Sequence, residues 1–409
     1  MKKIFLTLIL LLTVFSAYFF LNPPIENKVI ESPERDSIVS VNISVVGDLM
    51  CHSTQYNYAY VKNDSFNFNP VYNYLRDYFL SPDLMIGNFE TVIAKRDGNY
   101  KGYPYFNSPV NFLTSLKKNG FDVLFTANNH SLDQNEKGVL RTLNAFSENN
   151  LFSFGTYNSK SEKEKIKTIN VNGIKLAFAA YSYGTNGVHI PNGKEYLINL
   201  INLENIKNDL KKIKSANPDI IIVYYHTGLE YSRDISKKHK ALMDSTFYFG
   251  ADIVLASHPH VILPVEKREL VNSKLNIGFA AHSLGNFISN QRWRYSDAGV
   301  ILNFQLSKDL RNNKILLNDL SYIPTWVFKG KVNNKKEYVI LPSEMALNKG
   351  LPNYITANDS LLMYESYFDT KEIVNKLDKS VKLLSVMDSS NNLKTYSKVI
   401  TKQFQSEYK

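Results

Sequence analysis

Six short apolar runs in this chain each end in residues whose side chains bind cations or move protons. Ile43–Val46 leads into Gly47-Asp48, Leu84–Ile86 into Gly87-Asn88-Phe89-Glu90, and Val123–Phe125 into Asn128-Asn129-His130. Ile220–Tyr225 is followed by His226 and Glu230, Ile253–Ala256 by His258-Pro259-His260, and Ile277–Ala280 by Ser283-Leu284-Gly285-Asn286-Phe287. Carboxylate, amide oxygen and neutral imidazole are the ligands of hydrolytic centres that hold two divalent cations roughly 3.5–4 Å apart. The set suits Mn, Fe or Zn. In such a centre Asp48 supplies a carboxylate, Glu90 a bridging carboxylate with Asn88 as the nearest second oxygen, and Asn129 an amide oxygen. His226, His258 and His260 are imidazole ligands. His130 is the group to protonate a leaving atom or to stabilise charge developing on a substrate. Asn128, Asp133, Glu230 and Asn286 fall beside these and are read as orienting them or meeting substrate.

Taken singly, each residue has a plainer use. Asp48 could cap a helix or hold a turn, a lone histidine at a strand end is usually a hydrogen-bonded structural residue, and the asparagines are ordinary in loops. His239, within Lys237-Lys238-His239-Lys240, reads as part of a solvated helix face, and His189, beside Ile190-Pro191, as loop. His282 reads as structural or as orienting a neighbour. His52, four residues after Asp48, is in reach of the cluster but is left outside the set. It is the joint pattern that points to a site, because in open α/β sheets ligands gather at the carboxyl ends of strands. No serine or cysteine nucleophile motif and no phosphate-binding Gly-x-x-x-x-Gly-Lys loop competes with it.

The elements that would position these groups are legible from period and punctuation. The six runs read as buried strands, and alternation of strand and helix from Val41 to Phe304 predicts one α/β body. Helices are predicted over Asn111–Asn119 with Gly120 just past the end, over Glu136–Asn149 entered from Asp133, over Leu203–Ser215 and over Ser236–Gly250. Ile166–Ala180 reads as a hairpin turned at Asn172-Gly173. Tyr56–Phe79 reads as loop followed by helix. Beyond Phe304, strands are expected around Lys314–Ile323 and Tyr338–Leu341, then a lysine-rich helical tail over roughly Ser360–Lys409.

An apolar fraction of 44% with 21% charged residues excludes a disordered chain. At the amino terminus Lys2-Lys3 precedes the uninterrupted apolar stretch Ile4–Leu21. A membrane-spanning helix needs about 17–25 residues, and the bulky exit Tyr18-Phe19-Phe20-Leu21 is unlike a cleavage site. We therefore expect an uncleaved single-pass anchor in the cell membrane, with a removed signal as the alternative. Positive charge before the span places the body on the extracytoplasmic side. A single cysteine, Cys51, excludes an intrachain disulfide. The formal net charge of +10 would suit an acidic polymer, but the lysines are dispersed, as an AT-rich coding bias would scatter them. Without a basic motif, and with the body outside the cytoplasm, nucleic acid is not an expected partner.

The ordered motifs Val46-Gly47-Asp48, Gly87-Asn88-Phe89-Glu90, Ala127-Asn128-Asn129-His130 with Asp133, His226-Thr227-Gly228-Leu229-Glu230-Tyr231, His258-Pro259-His260 and Ser283-Leu284-Gly285-Asn286-Phe287 resemble the CapA family of capsule and poly-γ-glutamate biosynthesis proteins. The resemblance implies a calcineurin-like metallophosphoesterase fold, a sandwich of two mixed β-sheets flanked by helices. It places Asp48 as the first metal carboxylate, Glu90 and Asn88 near the bridging position, and Asn129 with His130 as the paired amide ligand and catalytic imidazole. His226, His258 and His260 resemble the later histidine ligands of two divalent cations. The chain departs from ordinary phosphoesterases at Met50, where Asp-x-His is usual, and in Asn-Asn-His at the third motif; Thr227 and Ser257 also differ from the family's frequent residues. The implied organisation is an anchor or signal over residues 1–22, a linker over 23–41, the metallophosphoesterase-like domain over 42–330 and a strand and helical extension over 331–409. The implied role is synthesis, export or attachment of an extracellular polymer at the membrane, with other capsule-synthesis subunits as partners. A metal-dependent phosphoesterase or a non-catalytic polymer-binding subunit are the alternatives.

Overall fold

Strands that are apolar on both faces need cover on both faces. In the computed structural model, which describes residues 37–95, 99–271, 273–347 and 350–386, two packed sheets and their outer helices supply it. The first sheet has nine strands. Its main path runs Lys335–Pro342, Ile315–Val332, Ala298–Asp309, Ile38–Leu49, Leu84–Phe89, Val123–Phe125 and Phe152–Phe154. Ile38–Leu49, Leu84–Phe89, Val123–Phe125 and Phe152–Phe154 are mutually parallel, whereas Ile38–Leu49 pairs antiparallel with Ala298–Asp309. Asn286–Ile288 and Lys382–Leu383 join from outside this path. The second sheet has six strands in the order Val265–Glu269, Ile277–Ala281, Ile253–Ser257, Ile220–His226, Ile174–Ser182 and Thr168–Val171. Its four central strands are parallel and its two edges antiparallel, so both sheets are mixed.

Side chains alternate along each strand and build separate layers from one continuous apolar run. Val41, Ile43, Val45, Ile86 and Phe125 face Phe178, Ile220, Ile222, Tyr224 and Leu255 in a shared core between the sheets. There the rings of Phe125 and Tyr224 stack with centroids 4.5 Å apart. The alternate residues Val46, Met85 and Leu124 pack outward against Phe112, Leu116 and Phe146 of the helices Val110–Lys118 and Asn135–Glu148. On the far side Ile221, Val223 and Val254 pack against Ile206, Leu210, Leu242 and Met243 of the helices Leu203–Ser215 and Lys237–Phe249.

Local chemistry agrees with the predicted elements. Asn172 and Gly173, at φ 51° and 83°, make the two-residue turn between Thr168–Val171 and Ile174–Ser182, because a hairpin of this length favours two left-handed residues. Ser236 caps the helix Lys237–Phe249 by accepting from His239 N, and Gly250 at φ 102° closes it. Where the chain differs from expectation, side-chain capping explains it. Tyr56–Phe79 does not begin as loop: His52 and Gln55 form a capping box that starts the helix Ser53–Ala59, followed by the short hairpin Tyr60–Lys62 and Ser65–Phe66. The helix expected to enter from Asp133 starts at Asn135, since Asp133 Oδ2 is engaged by Phe106 N and His130 Nδ1. The helix Ala357–Val374 ends at Asn375, whose side chain donates to the Asp378 and Val381 carbonyls, so the chain turns into the strand Lys382–Leu383 rather than staying helical.

The expected anchor Ile4–Leu21, most of the linker and residues 387–409 of the tail lie outside the described residues. Among the described residues no helix is long and apolar enough to cross a membrane.

Candidate metal centre

One close approach brings the two sheets' ligand loops together. Asp48 N donates to Gly285 O at 2.9 Å, and a Cβ on Gly47 would run into the Gly285 carbonyl. Only glycine lets the strand beside Asp48 pass this close to the Gly285 backbone. From there the strand ends deliver their side chains into a shared buried cluster. Asp48, Asn88, Glu90, Asn128, His226 and Asn286 are each 0% exposed, and Asn129, His130, His258 and His260 are at most 3% exposed.

The contacts knit the clusters across the sheets. Asn88 Nδ2 donates to Asp48 Oδ1 at 2.8 Å, and Asn128 Nδ2 donates to the Phe89 carbonyl at 2.8 Å and to Asn88 Oδ1 at 3.3 Å. His226 Nε2 lies 2.8 Å from Asn129 Oδ1 and 3.4 Å from Glu90 Oε1. His260 Nδ1 lies 3.3 Å from Asp48 Oδ2 and 3.1 Å from Asn286 Oδ1, while its Nε2 is 3.9 Å from Glu90 Oε1. Asn286 Nδ2 in turn donates to the Ser296 carbonyl at 2.9 Å, which fixes the amide oxygen toward His260. His130 Nδ1 donates to Asp133 Oδ2 at 2.7 Å, and its ring stands edge-on to Phe106 at 4.7 Å.

Among the buried atoms of this cluster that lack a hydrogen-bond partner are Asp48 Oδ2, Glu90 Oε1, His258 Nδ1 and, beside His130, Asp133 Oδ1. Buried carboxylate oxygens without a donor cost free energy, and a cation held among them would answer that cost. The spacing agrees. Ligands held about 2.1 Å from one ion sit roughly 3 Å apart, which is the range of the Asn129–His226, Glu90–His226 and Asp48–His260 pairs. Two groups bring all their ligand atoms within 4.8 Å of one another: Asp48, Glu90 and His260, all buried, and Glu230, His258 and His260, of which Glu230 is exposed.

Electrostatics follow from burial. Desolvation, with the Asp48 charge added, pushes the Glu90 carboxyl well above the usual carboxylate range. Burial, reinforced by neighbouring imidazoles, holds His226 well below its ordinary value and brings His258 down to about 3. Both rings are therefore neutral at physiological pH, the form that binds cations. His258 and His260 hold strained backbones at φ 109° and 56°, and such outliers gather where the surrounding structure fixes side chains for a task.

Every residue of the expected set except Glu230 is buried around these strand ends; Glu230 lies exposed in the turn after Ile220–His226. His189 is exposed loop, as expected. His52 is engaged elsewhere, capping its helix and facing Phe106 with ring centroids 5.2 Å apart. His282 does not serve the cluster: its Nε2 meets Glu266 Oε1 at 3.1 Å. His239 corrects an expectation, since it is 5% exposed and packs against His282 at 5.3 Å rather than facing solvent. With Leu242, Met243 and Thr246 it forms the buried stripe of its helix, a spacing that outweighs its lysine neighbours. Sequence reasoning also passed over aromatic residues at the mouth. The Tyr183 ring lies tilted against His258 with centroids 4.4 Å apart, Tyr231 lies 6.0 Å from His260, and Trp293 sits 5.2 Å from Tyr231. These three are 47%, 42% and 51% exposed. Exposed aromatic side chains are common, so nothing in the sequence set Tyr183 or Trp293 apart, and Tyr231 stood only as the last residue of its motif.

Comparison with known proteins agrees with the motifs. Residues 42–291 match the model of the bacterial capsule synthesis protein family PGA_cap. The chain is 29% identical over 292 residues to the PGA biosynthesis protein CapA of Bacillus subtilis (strain 168), covering 67% of this chain and 69% of that one. It is 26% identical over 275 residues to the capsule biosynthesis protein CapA of Bacillus anthracis, covering 65% of this chain and 64% of that protein. Among solved structures, NAD nucleotidase of Haemophilus influenzae aligns with a TM-score of 0.44 at 13% identity, over 85% of this chain and 64% of that one. The calcineurin-like phosphoesterase YfkN of Bacillus subtilis aligns with a TM-score of 0.37 at 14% identity, over 82% of this chain and 98% of that one. With its family model spanning all six ligand loops, the chain belongs to the bacterial capsule synthesis proteins of the CapA type.

Proposed function

We propose that this protein acts in the synthesis, export or attachment of an extracellular polymer such as poly-γ-glutamate, anchored in the cell membrane with its body outside. In this reading the buried cluster is a phosphoesterase-like centre for two divalent cations, Mn, Fe or Zn. The observation that carries it is the convergence of six distant strand-end loops on two orphaned carboxylate oxygens, Asp48 Oδ2 and Glu90 Oε1. Family membership supports the polymer, as do the names of the relatives from the two Bacillus species. The apolar stretch Ile4–Leu21 supports the anchor. The exposed rings of Tyr183, Tyr231 and Trp293 give the mouth a surface against which an extended chain can lie.

Asp48, Asn88, Glu90, Asn129, His226, His258 and His260 would hold the cations. When bound, such ions supply Lewis acidity to a phosphoryl or acyl oxygen. The remaining groups act on the substrate or on each other. Asp133 accepts the Nδ1 proton of His130, fixing the tautomer and leaving the other ring nitrogen to exchange a proton with a leaving atom. Asn128 ties the third loop to the second through Phe89 and Asn88, and Asn286 sets the ring plane of His260. Water is limited by the burial of the whole cluster.

The test is a deletion strain complemented with the parent gene or with Glu90→Ala or His258→Ala, scored for surface polymer. Both variants are expected to lose at least tenfold of the polymer while remaining at parental abundance in the membrane fraction. Parental polymer in both would refute the reading.

A further inference from the structure

Glu230 stands outside the ligand set that family resemblance implies, and its surroundings set it apart. It is exposed, whereas Asp48 and Glu90 are fully buried. Yet one of its carboxylate oxygens lies within 4.8 Å of a ring nitrogen of each of His258 and His260. His258 makes this more than a surface carboxylate. Its ring is 3% exposed and its Nδ1 has no hydrogen-bond partner. Asn286 accounts for His260 and Asn129 for His226, but among the described residues no such polar partner serves His258 Nδ1. The turn carrying Glu230 is also clamped to the histidine loop. Tyr231 N donates to the Pro259 carbonyl at 2.7 Å, Tyr231 takes the strained φ of 63°, and a Cβ on Gly228 would strike the Pro259 ring. A non-glycine aromatic held in the left-handed region signals a backbone fixed for a purpose.

We propose that Glu230 is a carboxylate ligand of a second, solvent-facing cation position built with His258, distinct from the closed position around Asp48 and Glu90. This rests on the cation-holding reading above and adds an asymmetry to it. The closed position is walled by buried groups and retains its ion. The open position has one hydrated, exposed carboxylate, so its ion exchanges with the medium and is the one that substrate or chelator reaches first.

The experiment is equilibrium dialysis of the full chain, in mild detergent, against Mn2+ alone, with the bound metal counted by mass spectrometry. The parent is expected to bind two ions of unequal affinity. Glu230→Gln is expected to keep the tight ion and weaken the other at least tenfold, with an unchanged melting temperature in the metal-free protein because the side chain is exposed. Glu90→Gln is expected to lose the tight ion. Two ions at parental affinity in Glu230→Gln would overturn the inference. A parent that binds one ion regardless of Glu230→Gln would also overturn it, while leaving a cation-holding centre in place. A parent that binds none removes the underlying reading as well.

Discussion

The strand-end histidines and the pair His239 and His282 share burial and a nearby carboxylate, yet they sit in different company. His239 has both ring nitrogens without a hydrogen-bond partner and is held down to about 4 by burial. Its neighbour His282 faces Glu266, whose carboxylate is answered by Arg268 at 2.8 Å and lies at the sheet edge. Charge there is already balanced. At the strand ends the carboxylates of Asp48 and Glu90 are fully buried, meet no lysine or arginine among the ion pairs of the described residues, and leave one oxygen each without a donor. Buried neutral histidine is therefore common to both clusters; buried carboxylates that nothing else neutralises are what set the proposed cation site apart.

The largest expected effect comes from separating the loops. Gly47→Ala drives a methyl into the Gly285 carbonyl and should destabilise the protein by more than about 3 kcal/mol. Gly184→Ala, where no atom lies within 4 Å of the added carbon, should stay within about 0.5 kcal/mol. Chemical denaturation of the two variants checks this, and equal losses would show that the approach at Gly47 is not tight.

Next in size is the response to chelation. An ion present at about a thousand times its Kd stabilises by about 4 kcal/mol, so stripping metal should lower the melting temperature by several degrees. His239→Leu should show the same drop on chelation, because that pair takes no part in holding metal. A chelation response that vanishes in His239→Leu would merge the two clusters that the comparison separates.

The smallest effect is on pH dependence. The folded protein holds His239 near 4, whereas an unfolded histidine titrates near 6.5. A depressed folded pKa contributes stability that is present above pH 6.5 and is lost as pH falls toward 4, on the order of 2–3 kcal/mol for this group. His239→Leu should therefore lose less stability between pH 7 and pH 5 than the parent does, as read by thermal melts of metal-free protein. Identical losses would contradict the buried, neutral state of the ring.

Much of this was legible in the chain. The six strands show because both faces are apolar, and the hairpin at Asn172-Gly173 shows because the dipeptide encodes its own turn. The ligand types and their gathering at strand ends were expected, but not the contact that closes the loops together, Gly47 meeting Gly285 across 238 positions in sequence. His239 was hidden by its lysine neighbours, although its spacing to Leu242, Met243 and Thr246 fits one buried helix face. Tyr183 was beyond reach, and Glu230 was named without its exposed direction, for another reason: loop backbone sets such directions, and no periodicity reports it.

Metal counting of the purified full chain tests the central claim most directly. The parent should carry bound divalent cation, and the Asp48→Asn, Glu90→Gln double variant, which keeps the volume of the cluster, should lose the tightly held ion while remaining folded. Equal metal in both proteins, or none in a parent reloaded with Mn, Fe or Zn, would contradict a cation centre at these strand ends.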